Sequence, residues 1–359
     1  MMKRNHLYTM IAVAIAVLFV VYADNNFDPF VLRVFNLCAI YVVLAVSLNL
    51  VNGFTGLFSL GHAGFMAVGA YVSALLTMTP DQKEMNFFLA PIVPWLHDIS
   101  LPFLPALLIA GLVAALSGVL VGAPVLRLRD DYLAIATLGF AEIIRVVITN
   151  VQTVTNGALG LKGLPKYATT FWVWGAAAVS VLFMVFLIRS SYGRAIKAVR
   201  DDEIAAEAMG INVFRVKLAS FTASSFMAGV GGALLGHVLT TIDPKMFTFL
   251  LTFNILLIVV IGGNGSITGS VIAAIGVTVL MELLRFLDGP MNLLIFKTDG
   301  LPGLRMVVFS IMLMAMVIYR QRGLMGNREF SWQMVADAAA LPRSWIAAVK
   351  RRARRTGGK

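Results

Sequence analysis

The chain has 359 residues, of which 59% are hydrophobic and 13% charged, and 29 Lys and Arg against 18 Asp and Glu give a net charge of +11. A soluble domain is about half apolar and about a quarter charged, so this composition excludes one water-soluble core and indicates a membrane protein. The single cysteine, Cys38, excludes a disulfide framework and a cysteine-based metal cluster within the chain.

Ten apolar stretches are long enough, or nearly so, to cross a bilayer as helices, because a hydrocarbon core of about 30 Å needs roughly 20 residues. They cover residues 7–23, 31–50, 58–78, 104–126, 132–149, 171–188, 218–239, 247–261, 267–287 and 304–319. None alternates with period two. The sequence therefore predicts an all-α fold, a polytopic transmembrane helix bundle of about ten spans over residues 1–320, with a basic cytoplasmic tail over residues 321–359.

The first stretch has two interpretations. Lys3 and Arg4 precede its apolar run, which ends in Val21-Tyr22-Ala23, as they would in a cleaved signal peptide. The run of 17 residues exceeds the usual length of about 7 to 15, so we expect a retained helix.

The positions of the basic residues predict an orientation. With Lys3 and Arg4 in the cytoplasm, ten crossings place both termini there, and cytoplasmic segments hold 20 of the 29 Lys and Arg residues. External segments hold 8, and Arg145 lies within a span. This imbalance follows the positive-inside rule, so the basic surplus reflects topology and we expect no nucleic-acid partner. In the tail, residues 350–355 are either a contact with anionic membrane lipid or a solvated end.

The cytoplasmic loop over residues 190–217 is predicted to form two short helices, because residues 195–200 and 201–209 are rich in helix formers. Asp201, Asp202 and Glu203 are expected in the first turn of the second helix, where its dipole favours anions. Gly210 is expected to end that helix in a left-handed conformation. Such a loop either docks a soluble partner or is only an ordered connection.

Glu142 and Arg145 stand in the middle of the fifth span, on one helical face. A lone charge at a helix centre costs about 2.5 to 3.5 kcal/mol, so we expect the two to face the bundle interior and to pair. The pair is either a polar element of a translocation path or gate, or an ion pair that fixes helix packing.

Glycines are concentrated in two places, at which helices either pack closely or break. The two clusters are Gly53, Gly56, Gly61, Gly64 and Gly69, and Gly262, Gly263, Gly265 and Gly269. His62 and His237 have no Cys, Asp or Glu at ligand spacing, so we expect packed histidines and no metal. No phosphate-binding loop or catalytic motif is present, so the chain is predicted to be neither an enzyme nor an ATPase by itself. The external loop over residues 79–103 is a lid or an interfacial segment and the loop over residues 152–170 a second external patch, or both are plain solvated connectors.

Four stretches together resemble bacterial ABC-importer permeases for branched-chain amino acids, the LivM type. They are LNLVNGFTGLFSLGHAGF (48–65), DYLAIATLGFAE (131–142), GRAIKAVRD (193–201) and GGNGS (262–266). The resemblance covers roughly residues 31–319. It implies a multi-pass permease of the bacterial inner membrane that carries branched-chain or related hydrophobic amino acids.

The resemblance also implies partners: a second homologous permease, two ATPase subunits that bind the ATP, and a periplasmic substrate-binding protein, with no cofactor in this chain. It assigns the 190–217 loop to ATPase coupling, through Arg194, Arg200, Asp201, Glu203, Ala205, Ala206, Glu207 and Gly210. Such loops often carry Glu-Ala-Ala and then Gly, but here Ile204 occupies the Glu position, which leaves the contact residues open. The expected path or gate comprises Gly56, Ser59, Gly61, His62, Glu142 and Arg145.

The alternative is a self-sufficient secondary transporter of a small amino acid or amide. It would need ion-coupling carboxylates within the spans, where only Glu142 is central and Glu282 lies near an external end. A membrane enzyme or scaffold is the third class, for which the sequence offers no site.

Overall fold

The computed structural model describes residues 2–128, 130–285, 291–293, 296–298, 303–319, 323–326 and 329. Its α-helices are α1 (Met2–Asn26), α2 (Pro29–Asn49), α3 (His62–Thr77), α4 (Pro80–Asn86), α5 (Pro94–His97), α6 (Phe103–Val125), α7 (Asp130–Asn150), α8 (Gln152–Thr155), α9 (Thr170–Arg189), α10 (Ser191–Asp201), α11 (Glu203–Ala208), α12 (Val213–Leu239), α13 (Phe249–Gly262), α14 (Ile267–Leu283) and α15 (Leu304–Tyr319). Its strands are β1 (Leu161–Lys162), β2 (Thr241–Ile242), β3 (Met291–Leu293) and β4 (Phe296–Thr298), paired antiparallel as β1 with β2 and β3 with β4.

The chain divides into two units. One comprises Met1–Phe19 and Arg328–Lys359, in which the described structure is mainly the first part of α1. The other, Val20–Asn327, contains the helical bundle. The predicted lipid-binding basic cluster at residues 350–355 lies outside the described residues.

The all-α prediction is confirmed, and every predicted apolar stretch falls on a helix. Six described helical segments are long and apolar enough to cross a membrane: Pro29–Phe54, Phe103–Val125, Tyr132–Asn150, Thr170–Arg189, Val213–Leu239 and Pro244–Gly262. Helices α3 and α14 and the segment Val13–Asn26 are shorter apolar helices. About ten crossings therefore stay a prediction.

Loops predicted on the same side of the membrane contact one another. On the predicted external side, the Asn86 amide donates to the Lys162 carbonyl at 3.0 Å, and β1 pairs with β2. On the predicted cytoplasmic side, the Arg127 guanidinium lies 5.7 Å from the centre of the Phe214 ring. These contacts agree with the predicted grouping of the loops, while their sides of the membrane stay a prediction.

Helices α2, α3, α6 and α12 form the centre of the bundle, and glycines bring their backbones together. A Cβ at Gly69 of α3 would lie 2.2 Å from the Gly229 carbonyl oxygen of α12. A Cβ at Gly232 would lie 2.1 Å from the Met66 carbonyl oxygen. Since small residues allow such close approach, the packing interpretation is confirmed for Gly69.

The segment over residues 79–103 is an ordered element held by a buried lysine. Lys83 of α4 is fully buried, and its ammonium donates to the carbonyls of Leu96 at 2.7 Å, His97 at 3.3 Å and Ile99 at 2.6 Å. Burial lowers the pKa of Lys83, and the nearby Asp98 carboxylate opposes that shift. Because three carbonyls satisfy all three N–H donors, the lysine fixes α5 against α4.

We expect this segment to loosen as the pH rises, because His97 bridges two carboxylates. Its Nδ1 lies 2.6 Å from Asp98 Oδ1 and its Nε2 lies 3.3 Å from Glu84 Oε1. Chiefly the hydrogen bond to Asp98 raises the pKa of His97 above its ordinary 6.5. A group whose pKa is raised by folding contributes its full stability at pH values below its unfolded-state pKa. That stability is lost as the pH rises through its folded-state pKa.

Hydrogen exchange of the α5 amides, corrected for intrinsic rates, at about pH 6 and about pH 9 measures this effect. Protection is expected to fall at the higher pH in the wild type and to change little in His97→Gln. Equal pH dependence in both proteins would contradict the bridge.

Candidate functional site

The second span breaks at its predicted cytoplasmic end. Helix α2 continues as a π-helical turn, Leu50–Phe54, and the chain then runs without regular structure over residues 55–61 before α3 begins. Neighbouring helices satisfy the backbone there, since Leu60 N–H donates to Thr137 Oγ1 at 3.0 Å and Ala63 N–H to Thr252 Oγ1 at 2.9 Å. We call residues 50–61 the first break.

Most of the sequence-predicted gate residues lie in or beside the first break. Ser59 and His62 are buried, and His62 Nε2 lies 2.8 Å from Ser47 Oγ. A Cβ at Gly61 would lie 2.9 Å from the Thr137 carbonyl oxygen of α7. The prediction of a packed, hydrogen-bonded histidine is confirmed, whereas a role of these residues in a translocation path stays a prediction.

A second break separates α13 from α14 at the same end of the bundle. It comprises residues 263–266, in which Gly263 and Gly265 have φ of +112° and +85°. Ser266 Oγ caps α14 by accepting from Gly269 N–H at 3.0 Å. Since a residue with a Cβ is strained at such φ values, glycine is what permits this turn.

Asn49 joins the two breaks and was not among the sequence-predicted residues. Its Oδ1 accepts from Gly265 N–H at 2.9 Å, and its Nδ2 donates to Ser266 O at 2.9 Å and to Ser270 Oγ at 2.8 Å. The side chain is fully buried. An amide within an apolar span was the signal available in the sequence, because buried polar groups need partners.

Helix α11 ends as the sequence predicts. Gly210 has φ of +84°, its N–H donates to the Glu207 carbonyl at 2.9 Å, and Ile211 N–H donates to the Ala206 carbonyl at 3.0 Å. This pair of bonds is the Schellman arrangement. The acidic start of α11 differs from the prediction: Asp202 is the N-cap and Glu203 follows it, but Asp201 is the last residue of α10. The reason is that the Asp202 carboxylate accepts from the first amides of α11 and so begins the helix there.

Helices α10 and α11 have a buried face and an outward face. Glu203 forms an ion pair with Lys217 of α12, with 2.5 Å between Glu203 Oε1 and Lys217 Nζ, and Ala206 is buried. Ile204 and Met209 are each 82% exposed. The exposed residues of the predicted coupling set are Arg194, Asp201, Glu203, Ala205, Glu207 and Gly210. Ile204 on the outward face of α11 and Met209 at its C-cap are therefore exposed apolar side chains with charged neighbours.

Arg200 of α10 points to the breaks. Its Nη1 donates to the Gly53 carbonyl at 3.4 Å, while its Nε and Nη2 donate to Asp201 Oδ1 at 3.1 and 2.8 Å. A Cβ at Gly56 would lie 2.8 Å from Arg200 Cγ, and a Cβ at Gly265 would lie 3.2 Å from Nη1. The structure thus brings together Arg200 of the coupling set and Gly56 of the gate set.

Glu142 and Arg145 of α7 form the predicted ion pair, with both carboxylate oxygens accepting from Arg145 Nε at 2.9 and 3.0 Å. Their predicted position in the bundle interior is wrong, because the side chains are 49% and 26% exposed. Helix α7 uses the face of Thr137 and Ala141 to pack on α3, which turns the ion pair to the surface of the chain. The pair therefore does not join the first break.

Among the described residues, no group of three or more His, Cys, Asp or Glu could hold a metal ion. The described site consists of two helical breaks, an asparagine that joins them, and an arginine of the 190–217 loop that lies at both.

Sequence comparisons show which family the chain is similar to. Residues 30–317 match the family described as branched-chain amino acid transport system, permease component. The chain is 36% identical over 283 residues to the high-affinity branched-chain amino acid transport system permease protein LivM of Escherichia coli K12, covering 69% of this chain and 62% of LivM. It therefore spans about three fifths of that relative.

Two further relatives are more distant. A probable LivM of Methanocaldococcus jannaschii is 24% identical over 80% of this chain and 91% of its own length. The LivH permease protein of Escherichia coli K12 is 26% identical over 70% of this chain and 85% of its own length. No solved structure matches the chain.

Proposed function

Because this chain belongs to the family of branched-chain amino acid transport permeases, we propose that it is a membrane-spanning subunit of an ABC importer for branched-chain or related hydrophobic amino acids. In this proposal it crosses a bacterial inner membrane about ten times with both termini cytoplasmic. A second homologous permease, two ATPase subunits and a periplasmic substrate-binding protein complete the importer. The similarity to both LivM and LivH supports a paired permease.

The observation that carries the proposal is the loop over residues 190–217. A chain without a nucleotide-binding loop needs an external energy source for uphill transport, since substrate binding alone biases no net flux. Helix α11 offers Ile204 and Met209 as exposed apolar side chains, which suit burial against a protein. On this basis the ATPase docks on the outward face of α11.

The exposed ion pair of α7 supports a second permease at that face. Glu142 and Arg145 lie near the middle of a helix that is long and apolar enough to span the membrane. Charges at that depth are expensive in contact with acyl chains and are normally covered by protein or water. We therefore place the contact with the paired permease, and the translocation path between the two permeases, along this face of α7.

This placement predicts a strong effect of Glu142→Ala. The substitution leaves the Arg145 charge without its partner at the contact between the two permeases. Uptake by the assembled importer is therefore expected to fall about tenfold or more. Glu282→Ala is the matched control, because Glu282 forms the same i,i+3 pair with Arg285 at the end of α14. Uptake of labelled leucine and co-purification of the paired permease are measured for both. Equal activity of the two variants would contradict the placement.

Reconstitution tests the function itself. Proteoliposomes are prepared with this chain, the paired permease, the ATPases and the binding protein. They are expected to accumulate labelled leucine only when ATP is present on the side of the membrane that carries the ATPases. Omission of any one component should abolish accumulation. Uptake by this chain alone, driven by a proton or sodium gradient and lost in Glu142→Gln, would instead establish the secondary transporter.

A further inference from the structure

Arg200 was expected to contact the ATPase, but its side chain is only 29% exposed and its guanidinium lies at the two breaks. Three groups surround it there: the Gly53 carbonyl at 3.4 Å from Nη1, and the backbones of Gly56 and Gly265. Gly53 and Gly56 belong to the first break and Gly265 to the second. One side chain of the cytoplasmic loop thus contacts both discontinuities of the spans.

We propose that Arg200 is a positioning residue that transmits the movement of α10 and α11 to both breaks. The proposal rests on the proposed function, because it requires an ATPase that moves these helices. It assigns Ile204 and Met209 to ATPase docking and Arg200 to the next step, in which docking is converted into a rearrangement of the spans.

The fit between Arg200 and the two breaks is tight enough to transmit small displacements. A methyl group at Gly56 would collide with Arg200 Cγ, at 2.8 Å, and one at Gly265 would press on Nη1, at 3.2 Å. Both glycines have left-handed φ values, +78° and +85°. Packed elements of this kind shift between discrete arrangements because they cannot deform continuously.

The two breaks are themselves in direct contact, so Arg200 acts on one connected unit. A Cβ at Gly53 would lie 2.4 Å from Gly265 N, and Gly265 N–H donates to Asn49 Oδ1. A displacement at either glycine therefore reaches α2 and α14 together. Chains of packed contacts such as this one can carry energetic coupling between distant sites.

The guanidinium group is suited to this position in a way that an ammonium is not. Its Nε and Nη2 bind Asp201 at the end of α10, while Nη1 binds the Gly53 carbonyl. A lysine has one nitrogen and cannot reproduce this fork. Lys197, one turn earlier on α10, is exposed and serves as a matched control for loss of a basic residue.

The test uses the complete importer in proteoliposomes, with Arg200→Ala, Arg200→Lys and Lys197→Ala beside the wild type. Four quantities are measured: monodispersity of the complex, co-purification of the ATPase, basal ATP hydrolysis, and hydrolysis and leucine uptake stimulated by the binding protein. Arg200→Ala is expected to keep ATPase association and basal hydrolysis within about twofold while stimulated uptake falls about tenfold or more. Arg200→Lys should show the same split with a smaller loss, and Lys197→Ala should match the wild type.

Loss of ATPase association in both Arg200 variants would overturn the proposal, because Arg200 would then be a docking residue. Unchanged uptake in both variants would overturn it as well. If Arg200→Ala does not yield a monodisperse complex, the same measurements are made on Arg200→Lys and Gly265→Ala. The added methyl group of Gly265→Ala presses on the same guanidinium. Absence of ATP-dependent uptake in the wild type would refute the proposed function instead, so the two failures are distinguishable.

Discussion

Replacement of Gly69 by leucine is expected to prevent formation of the central helix bundle. Any Cβ there would lie 2.2 Å from the Gly229 carbonyl oxygen, which belongs to the helical backbone of α12, so α3 and α12 would have to separate. Overpacking in a well-packed core costs about 1 to 3 kcal/mol, and backbone contacts leave less room for relief than side chains do. The yield of monodisperse protein in detergent, together with its thermal midpoint, measures the effect.

Gly276→Leu is the control for this experiment. Gly276 lies in α14, where an added Cβ meets no heavy atom within 4 Å. Normal yield is expected for this variant. Similar losses in both variants would mean that leucine at helical glycines is harmful in general, which would contradict the close contact of α3 and α12.

The second large effect is expected from Asn49→Ala. This substitution removes the acceptor of Gly265 N–H and the donor to Ser270 Oγ at a fully buried position. A buried group deprived of its partner costs about 1 to 3 kcal/mol. We expect a lower thermal midpoint, and a loss of uptake larger than that of stability because the two breaks are no longer joined.

Asn52→Ala provides the comparison, since Asn52 is half-buried and its side chain binds the Ser59 backbone within the first break, at 3.2 and 3.4 Å. Its effect should be clearly smaller. A thermal midpoint of Asn49→Ala no lower than that of Asn52→Ala would show that the asparagine does not hold the breaks together.

The helices of the bundle could be predicted from the sequence because length and hydropathy decide them locally. A run of about 20 apolar residues forms a helix in a membrane whatever its neighbours are. Gly210 was predictable for the same reason, since the end of α11 depends on one left-handed residue and two backbone bonds nearby.

The site was only partly predictable because its contacts join distant parts of the chain. Arg200 and Gly53 are 147 residues apart, and Asn49 and Gly265 are 216 apart. The sequence places Arg200 in the predicted coupling loop, but the contacts of its side chain depend on where the two breaks lie in the fold. Asn49 is recognisable in the sequence as an amide within an apolar span, but its role in joining the breaks becomes visible only through its three hydrogen bonds.

Glu142 and Arg145 show a different limit. Their spacing predicts a pair, and the pair forms. Sequence periodicity cannot separate the interior of one chain from a contact between two chains, because both exclude lipid. The exposed position of the pair on α7 excludes the interior of this chain, and a contact with a second permease stays the proposal.

The most direct measurement of the central claim concerns the outward face of α11. Met209→Cys, with the buried Cys38 replaced by serine, is treated with a membrane-impermeant maleimide in spheroplasts and in inside-out vesicles. If the loop receives the ATPase, label enters only in the inside-out vesicles, and bound ATPase protects the cysteine. Labelling of intact spheroplasts from outside would place the loop on the wrong side of the membrane and contradict the account.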